Sequence, residues 1–112
     1  MKIINVPRQS GKSKWLLKHA YENNYAIIVS TLAKKNKLKE EALYNKFYGV
    51  KIFTTREFLH GVNGAKFGRD DKVCIDDMEE VLADLIGFEI DTVTCTIPFS
   101  EEFLNEKGQK SE

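Results

Sequence analysis

The chain has 112 residues, of which 42% are hydrophobic and 30% charged, and 17 Lys and Arg residues balance 17 Asp and Glu residues. This length suits a single folded domain, expected over residues 1–99, followed by a polar and flexible tail over residues 100–112. The zero net charge excludes nucleic-acid binding through a global positive field, and no run approaches the roughly 20 apolar residues of a membrane span. We therefore expect a cytoplasmic protein with no membrane partner, in which Cys74 and Cys95 are reduced and buried in apolar runs.

Short apolar runs alternate with helical patterns along the chain. The runs predict strands at residues 3–6, 26–29, 50–53, 73–75 and 93–97. The patterns between them predict helices at residues 12–22, 38–48, 56–60 and 77–86, and one helical turn from Ser100. This alternation is typical of an α/β fold in three layers, with a mainly parallel sheet of about five strands and helices on both faces.

The segment PRQSGKS, residues 7–13, lies between the first predicted strand and the first predicted helix. This order is typical of a phosphate-binding loop, in which backbone N–H groups bind the phosphates of a nucleotide. Lys12 would then reach the β and γ phosphates, and the Ser13 hydroxyl would bind Mg²⁺. The pattern GxxxxGK[ST] is incomplete, because its first glycine falls at Val6. The alternative is an ordinary turn in which Lys12 is a solvated surface charge.

The segment VCIDD, residues 73–77, places two carboxylates at the end of an apolar strand. Ligands of open parallel sheets bind at the carboxyl ends of the strands, which is also where the phosphate-binding loop begins. Asp76 is therefore expected to hold Mg²⁺, and Asp77 to orient or deprotonate a water molecule. The alternative is that the two acids only cap the helix that follows.

Two further segments are open to more than one interpretation. The run TVTCTIP, residues 92–98, ends in hydroxyl side chains, and Thr96 would sense a γ-phosphate or a water; a strand chosen for its β propensity explains it equally well. Four lysines after the second predicted strand form a basic run that suggests DNA contact, or else a solvated helix face: Lys34, Lys35, Lys37 and Lys39.

The ordered series of these motifs resembles the first lobe of phage terminase large subunits and helicase ATPases, which are P-loop NTPases of the RecA-like type. The run from Arg8 to Ser13 is similar to the phosphate-binding loop of terminases, which often lacks the first glycine. The segments IIVSTLAKK and IFTTREFL, residues 27–35 and 52–59, resemble the next two motifs, of which the second often contacts nucleic acid. VCIDD resembles the Walker B motif, and TVTCTIP resembles the motif that couples hydrolysis to movement.

This resemblance implies ATP and Mg²⁺ as cofactors and a P-loop domain over residues 1–99. It implies that the nucleotide is bound by the loop and the start of the first helix: Arg8, Gln9, Ser10, Gly11, Lys12, Ser13 and Lys14. It also implies metal binding by Ser13 and Asp76, and catalytic roles for Asp77, Arg8 and Thr96. Asp77 stands where the family usually has glutamate, and a side chain shorter by one methylene predicts slow hydrolysis.

Two functions follow as hypotheses. The first is a small Mg²⁺-dependent ATP-binding protein with weak or partner-activated ATPase activity, encoded by a phage and acting in DNA metabolism or packaging in the host cytoplasm. Its activator would be a partner protein or a second copy of the chain that supplies an arginine finger. The second is a non-catalytic interaction module, or an inhibitor of a larger ATPase complex, that keeps the same fold.

Overall fold

The structure, a computed structural model, describes the backbone of residues 2–5, 12–61, 71–94 and 100–103, and the side chains of residues 12–61 and 71–94. Strands and helices alternate through these ranges, as the sequence predicts. In chain order the elements are β1 Lys2–Asn5, α1 Lys12–Asn23, β2 Ala26–Val29, α2 Leu32–Tyr44, β3 Ile52–Thr54, α3 Thr55–His60, β4 Val73–Ile75, α4 Met78–Ile86 and β5 Ser100–Phe103.

The sheet is parallel and has β2 at its centre. β3 and β4 flank β2, with Ile28 opposite Phe53 on one side and opposite Ile75 on the other. β1 pairs in parallel with β5 in a second, two-stranded unit. The α/β class is thus confirmed, with a three-stranded parallel sheet, whereas a single sheet of about five strands stays a prediction.

Helices cover both faces of the three-stranded sheet, because successive side chains of a strand point to opposite faces. Ile27 and Val29 of β2 pack against α1 and α2, together with Leu17, Ala20, Leu38, Ala42 and Ile52. Ala26 and Ile28 point to the other face and pack with Phe53, Phe58 and Val81, which come from β3, α3 and α4. The described core is therefore two apolar layers separated by the sheet.

Helix α2 begins six residues earlier and ends four residues earlier than the sequence predicts. The Thr31 hydroxyl accepts a hydrogen bond from the Lys34 backbone N–H at 3.2 Å and caps the first turn. The buried positions of the helix are Lys35, Leu38 and Ala42. Because the first buried position is a lysine, the hydrophobic residues of α2 start only at Leu38, which is where the helix was predicted to begin.

Three other predictions need correction. Residues 100–103 form strand β5 and not a helical turn. Val93 and Thr94 lie outside any strand, and the rest of the predicted strand at residues 93–97 lies outside the described residues. Cys74 is free and only half-buried, and burial raises the pKa of its thiol.

Candidate functional site

The structure describes part of the set of residues predicted to bind nucleotide or metal or to take part in hydrolysis. Five of them are described: Lys12, Ser13 and Lys14 in the first turn of α1, and Asp76 and Asp77, which follow β4. The other predicted site residues lie outside the described residues: Arg8, Gln9, Ser10, Gly11 and Thr96.

Lys12 and Asp77 meet at the carboxyl end of the sheet. The Lys12 Nζ atom lies 3.6 Å from Asp77 Oδ1, and about two fifths of each side chain is exposed. α1 also contacts β4 directly, which brings the two elements together. The start of the first described helix and the acidic end of β4 therefore share one location, as the sequence predicts. Ser13 is half-buried beside Lys12, whereas Lys14 is exposed.

Asp77 has a backbone conformation that favours glycine, asparagine and aspartate. Its φ of 63° and ψ of 74° lie in the left-handed region, and it occupies the N-cap position of α4 without a side-chain capping hydrogen bond. The Asp77 side chain therefore does not cap α4, in contrast to the alternative interpretation of the two acids as helix caps. Its carboxylate is directed to lysines instead, and strained backbone of this kind is concentrated at functional sites.

A second lysine, Lys34, which was predicted only as part of the basic run, holds the other oxygen of Asp77. Lys34 Nζ donates to Asp77 Oδ2 at 3.1 Å and also to Glu80 Oε2. The Ser30 hydroxyl donates to the same Glu80 oxygen at 3.1 Å. Asp77 and Glu80 are three residues apart at the start of α4, which places both carboxylates on one side of the helix. This spacing is the feature of the sequence that could have predicted a shared cationic partner.

The two neighbouring carboxylates differ in their electrostatics. Burial raises the pKa of Asp76, and the negative charge of Asp77 adds to this increase, while Lys12 and Lys34 only partly oppose it. Burial also pushes the pKa of Asp77 upward, but the hydrogen bond from Lys34 and the charges of Lys12 and Lys34 outweigh it and lower the pKa overall. Asp77 is thus held ionised by lysines, whereas Asp76 lacks equal compensation.

The donor chemistry at Asp76 suits a hard cation. Within the described residues its carboxylate makes no hydrogen bond or ion pair, although it is half-buried. An under-compensated carboxylate near a helix start that carries the Ser13 hydroxyl offers the oxygen ligands that Mg²⁺ prefers. No group of three or more His, Cys, Asp or Glu side chains that would hold a metal by itself is present in the ranges 12–61 and 71–94. A site of this kind therefore needs phosphate or water oxygens to complete it.

Two of the four lysines in the predicted basic run form ion pairs with acids of the same chain. Lys35 is 7% exposed, and its Nζ donates to both carboxylate oxygens of Glu57, at 2.6 and 2.8 Å. Lys34 is bound to acids as described above, so only Lys37 and Lys39 are exposed without such pairs among the described residues. The surface that this run offers to DNA is smaller than the sequence suggests.

No protein-family model matches the chain, and neither a curated protein nor a solved structure matches it. None of the helices that the structure describes is long and apolar enough to cross a membrane.

Proposed function

We propose that the protein binds a nucleoside triphosphate, with ATP as the first candidate, together with Mg²⁺, and hydrolyses it slowly. The observation that supports this proposal best is the 3.6 Å approach of Lys12 Nζ to Asp77 Oδ1. This contact brings an ammonium group at the start of a helix, which suits phosphate, next to the acidic end of β4, where Asp76 would hold Mg²⁺ and Asp77 would orient water.

Each residue has a distinct role in this proposal. Lys12 and the first turn of α1 neutralise phosphate charge, and Ser13 and Asp76 hold Mg²⁺. The bound Mg²⁺ would neutralise charge that develops on the phosphate oxygens. Asp77 accepts a hydrogen bond from the water that attacks the γ-phosphate, since its carboxylate is kept ionised by the neighbouring lysines.

The first experiment is a calorimetric titration of the protein with ATP, with and without Mg²⁺. We expect binding that requires Mg²⁺, and loss of this binding in Lys12→Ala. Lys18→Ala is the matched control, because Lys18 is exposed on the same helix and makes no hydrogen bond or ion pair with the described residues. Absence of nucleotide affinity in the unmodified protein would overturn the proposal.

A non-catalytic module that uses the nucleotide only as a ligand is the second candidate. It is favoured by one observation: both carboxylate oxygens of Asp77 are engaged by lysines, at 3.6 and 3.1 Å. Phosphate release measured with saturating Mg²⁺ and ATP separates the two candidates. Turnover above background that is lost in Asp76→Asn supports the enzyme, whereas binding without turnover, also in the presence of DNA, supports the module.

A further inference from the structure

The carboxylate of Asp77 is shared between two lysines from different helices. Oδ1 faces Lys12 of α1, and Oδ2 accepts a hydrogen bond from Lys34 of α2. In the proposed function Lys12 must leave Asp77 to reach phosphate. The Asp77 carboxylate then keeps a lysine as its partner only if Lys34 stays in place.

Several contacts hold Lys34 where it is. Its backbone N–H is bonded to the Thr31 hydroxyl, and its Nζ is also bound by Glu80, which accepts a second hydrogen bond from Ser30. The adjacent Lys35 is fixed to Glu57, which restrains the same turn of α2. Lys34 is therefore anchored independently of Lys12.

We propose that Lys34 is a positioning residue for nucleotide binding, which stabilises ionised Asp77 when Lys12 moves from Asp77 to the phosphates. Binding exchanges the pair of Lys12 with Asp77 for a pair of Lys12 with phosphate, and Lys34 prevents this exchange from leaving a carboxylate unpaired beside bound triphosphate. Oδ1 of Asp77 becomes free to accept a hydrogen bond, while Oδ2 stays fixed. This inference rests on the proposed function and adds a residue to its site.

This role differs from simple attraction between Lys34 and the nucleotide in one respect. If Lys34 acts by stabilising Asp77, its removal weakens binding only while Asp77 carries a negative charge. If Lys34 acts by attracting phosphate, its removal weakens binding equally in the presence and absence of that charge. A double-mutant cycle measures this difference.

The variants of the cycle are Lys34→Met, Asp77→Asn and the combination of both. Asparagine suits the left-handed backbone at position 77, so Asp77→Asn is expected to fold. Lys37→Met is the matched control, because Lys37 is exposed on the same helix and makes no ion pair with the described residues. Lys34→Arg tests rescue, since it keeps the charge and the hydrogen-bond donors.

The measurement is the dissociation constant of Mg²⁺ and ATP by calorimetry, on samples whose folded state is verified by circular dichroism. We expect Lys34→Met to weaken binding roughly fivefold, as for a partly exposed ion pair, and to have less than about a twofold effect in the Asp77→Asn background. Lys37→Met and Lys34→Arg are expected to stay within about twofold of the unmodified protein.

Three outcomes decide against the inference in different ways. If the unmodified protein binds no nucleotide, the proposed function fails and the role of Lys34 fails with it. If it binds and Lys34→Met has the same effect with aspartate and with asparagine at position 77, only the positioning role fails. If it binds and Lys34→Met has no effect, the pair of Lys34 and Asp77 has no part in binding.

Discussion

The pair of Lys35 and Glu57 gives a prediction that depends on the fold alone. The side chains are 9% and 19% exposed, and Lys35 Nζ donates to both oxygens of Glu57. Glu57 also accepts a hydrogen bond from the Thr54 backbone N–H at 3.0 Å, while its own N–H donates to the Thr54 hydroxyl, which completes a capping box at the start of α3. The pair therefore joins α2 to α3 across the carboxyl end of β2 and β3.

The hydrogen bond from Lys35 is the largest cause that lowers the pKa of Glu57 from 4.5 to about 2, followed by the hydrogen bond from Thr54. A shift of this size corresponds to at most about 3–4 kcal/mol of folding free energy. Because both side chains keep some contact with solvent, we expect about 1–2 kcal/mol. The folded-state pKa is the lower one, so this stability is fully present above pH 4.5 and is lost as the pH falls toward 2.

The test compares the unmodified protein with Glu57→Gln and Lys35→Met in urea unfolding, followed by fluorescence of Trp15, the single tryptophan, which stacks on His19. At pH 7 we expect each variant to be less stable by about 1–2 kcal/mol, and the double variant to lose less than the sum of the two. The difference between Glu57→Gln and the unmodified protein should shrink between pH 4.5 and pH 2. A difference that is constant over this pH range would show that the charge of Glu57 does not contribute to the stability of the fold.

Three further substitutions test the packing around the site by the same unfolding measurement. Leu17→Ala removes a fully buried side chain of α1 and should cost about 2–5 kcal/mol; a loss below 1 kcal/mol would contradict its place in the core. Thr54→Ala removes the hydroxyl of the capping box and should cost about 1 kcal/mol, whereas Thr54→Ser should retain most of the stability. Thr55→Val removes a buried hydroxyl that donates to the Val29 carbonyl at 3.3 Å and should cost about 1 kcal/mol; an unchanged stability would show that this hydrogen bond contributes nothing.

The strands of the central sheet were predictable because their apolar runs are short and rich in β-branched residues. β2 and β4 match their predicted bounds, Ala26–Val29 and Val73–Ile75. β4 lies between Lys72 and Asp76, and β2 is followed by Ser30. The prediction for β3 began two residues early, at Val50. Val50 is apolar and packs partly buried against the core, but it lies before the first residue of the strand. Burial of a single apolar residue does not require it to pair with a neighbouring strand.

The helices show where a pattern of hydrophobic residues fails. α4 lies close to the helix predicted at residues 77–86, yet of its residues only Val81 is buried, and Met78 and Leu85 are about two fifths exposed. The start of α2 was missed because its first turn relies on a threonine cap and a buried lysine, neither of which contributes to hydrophobic periodicity. Lys35 is compatible with the core because Glu57, which is distant from it in sequence, neutralises its charge.

The candidate site was predictable in part for the same reason. The proximity of Lys12 and Asp77 was predicted from a single parallel sheet, in which helix starts and acidic strand ends share one edge. In the structure β1 pairs with β5, and the two residues meet because α1 contacts β4 directly. The role of Lys34 in holding Asp77 did not follow, because it depends on the rotation of α2 about its axis. The run of lysines therefore suggested a surface for DNA, whereas two of the four lysines, Lys34 and Lys35, form ion pairs within the molecule.

Lys34 and Lys35 are consecutive, yet one is bound to the acids of α4 and the other to the acid of α3. Adjacent residues of a helix differ by about 100° in direction, so both contacts exist in only one angular setting of α2. Insertion or deletion of one residue between Lys35 and Leu38 would rotate the two lysines by about 100° relative to Leu38 and Ala42, so that either the lysines would leave their carboxylates or the two apolar side chains would leave the core. The spacing between these two pairs of residues is thus under a stricter constraint than the side chains between them.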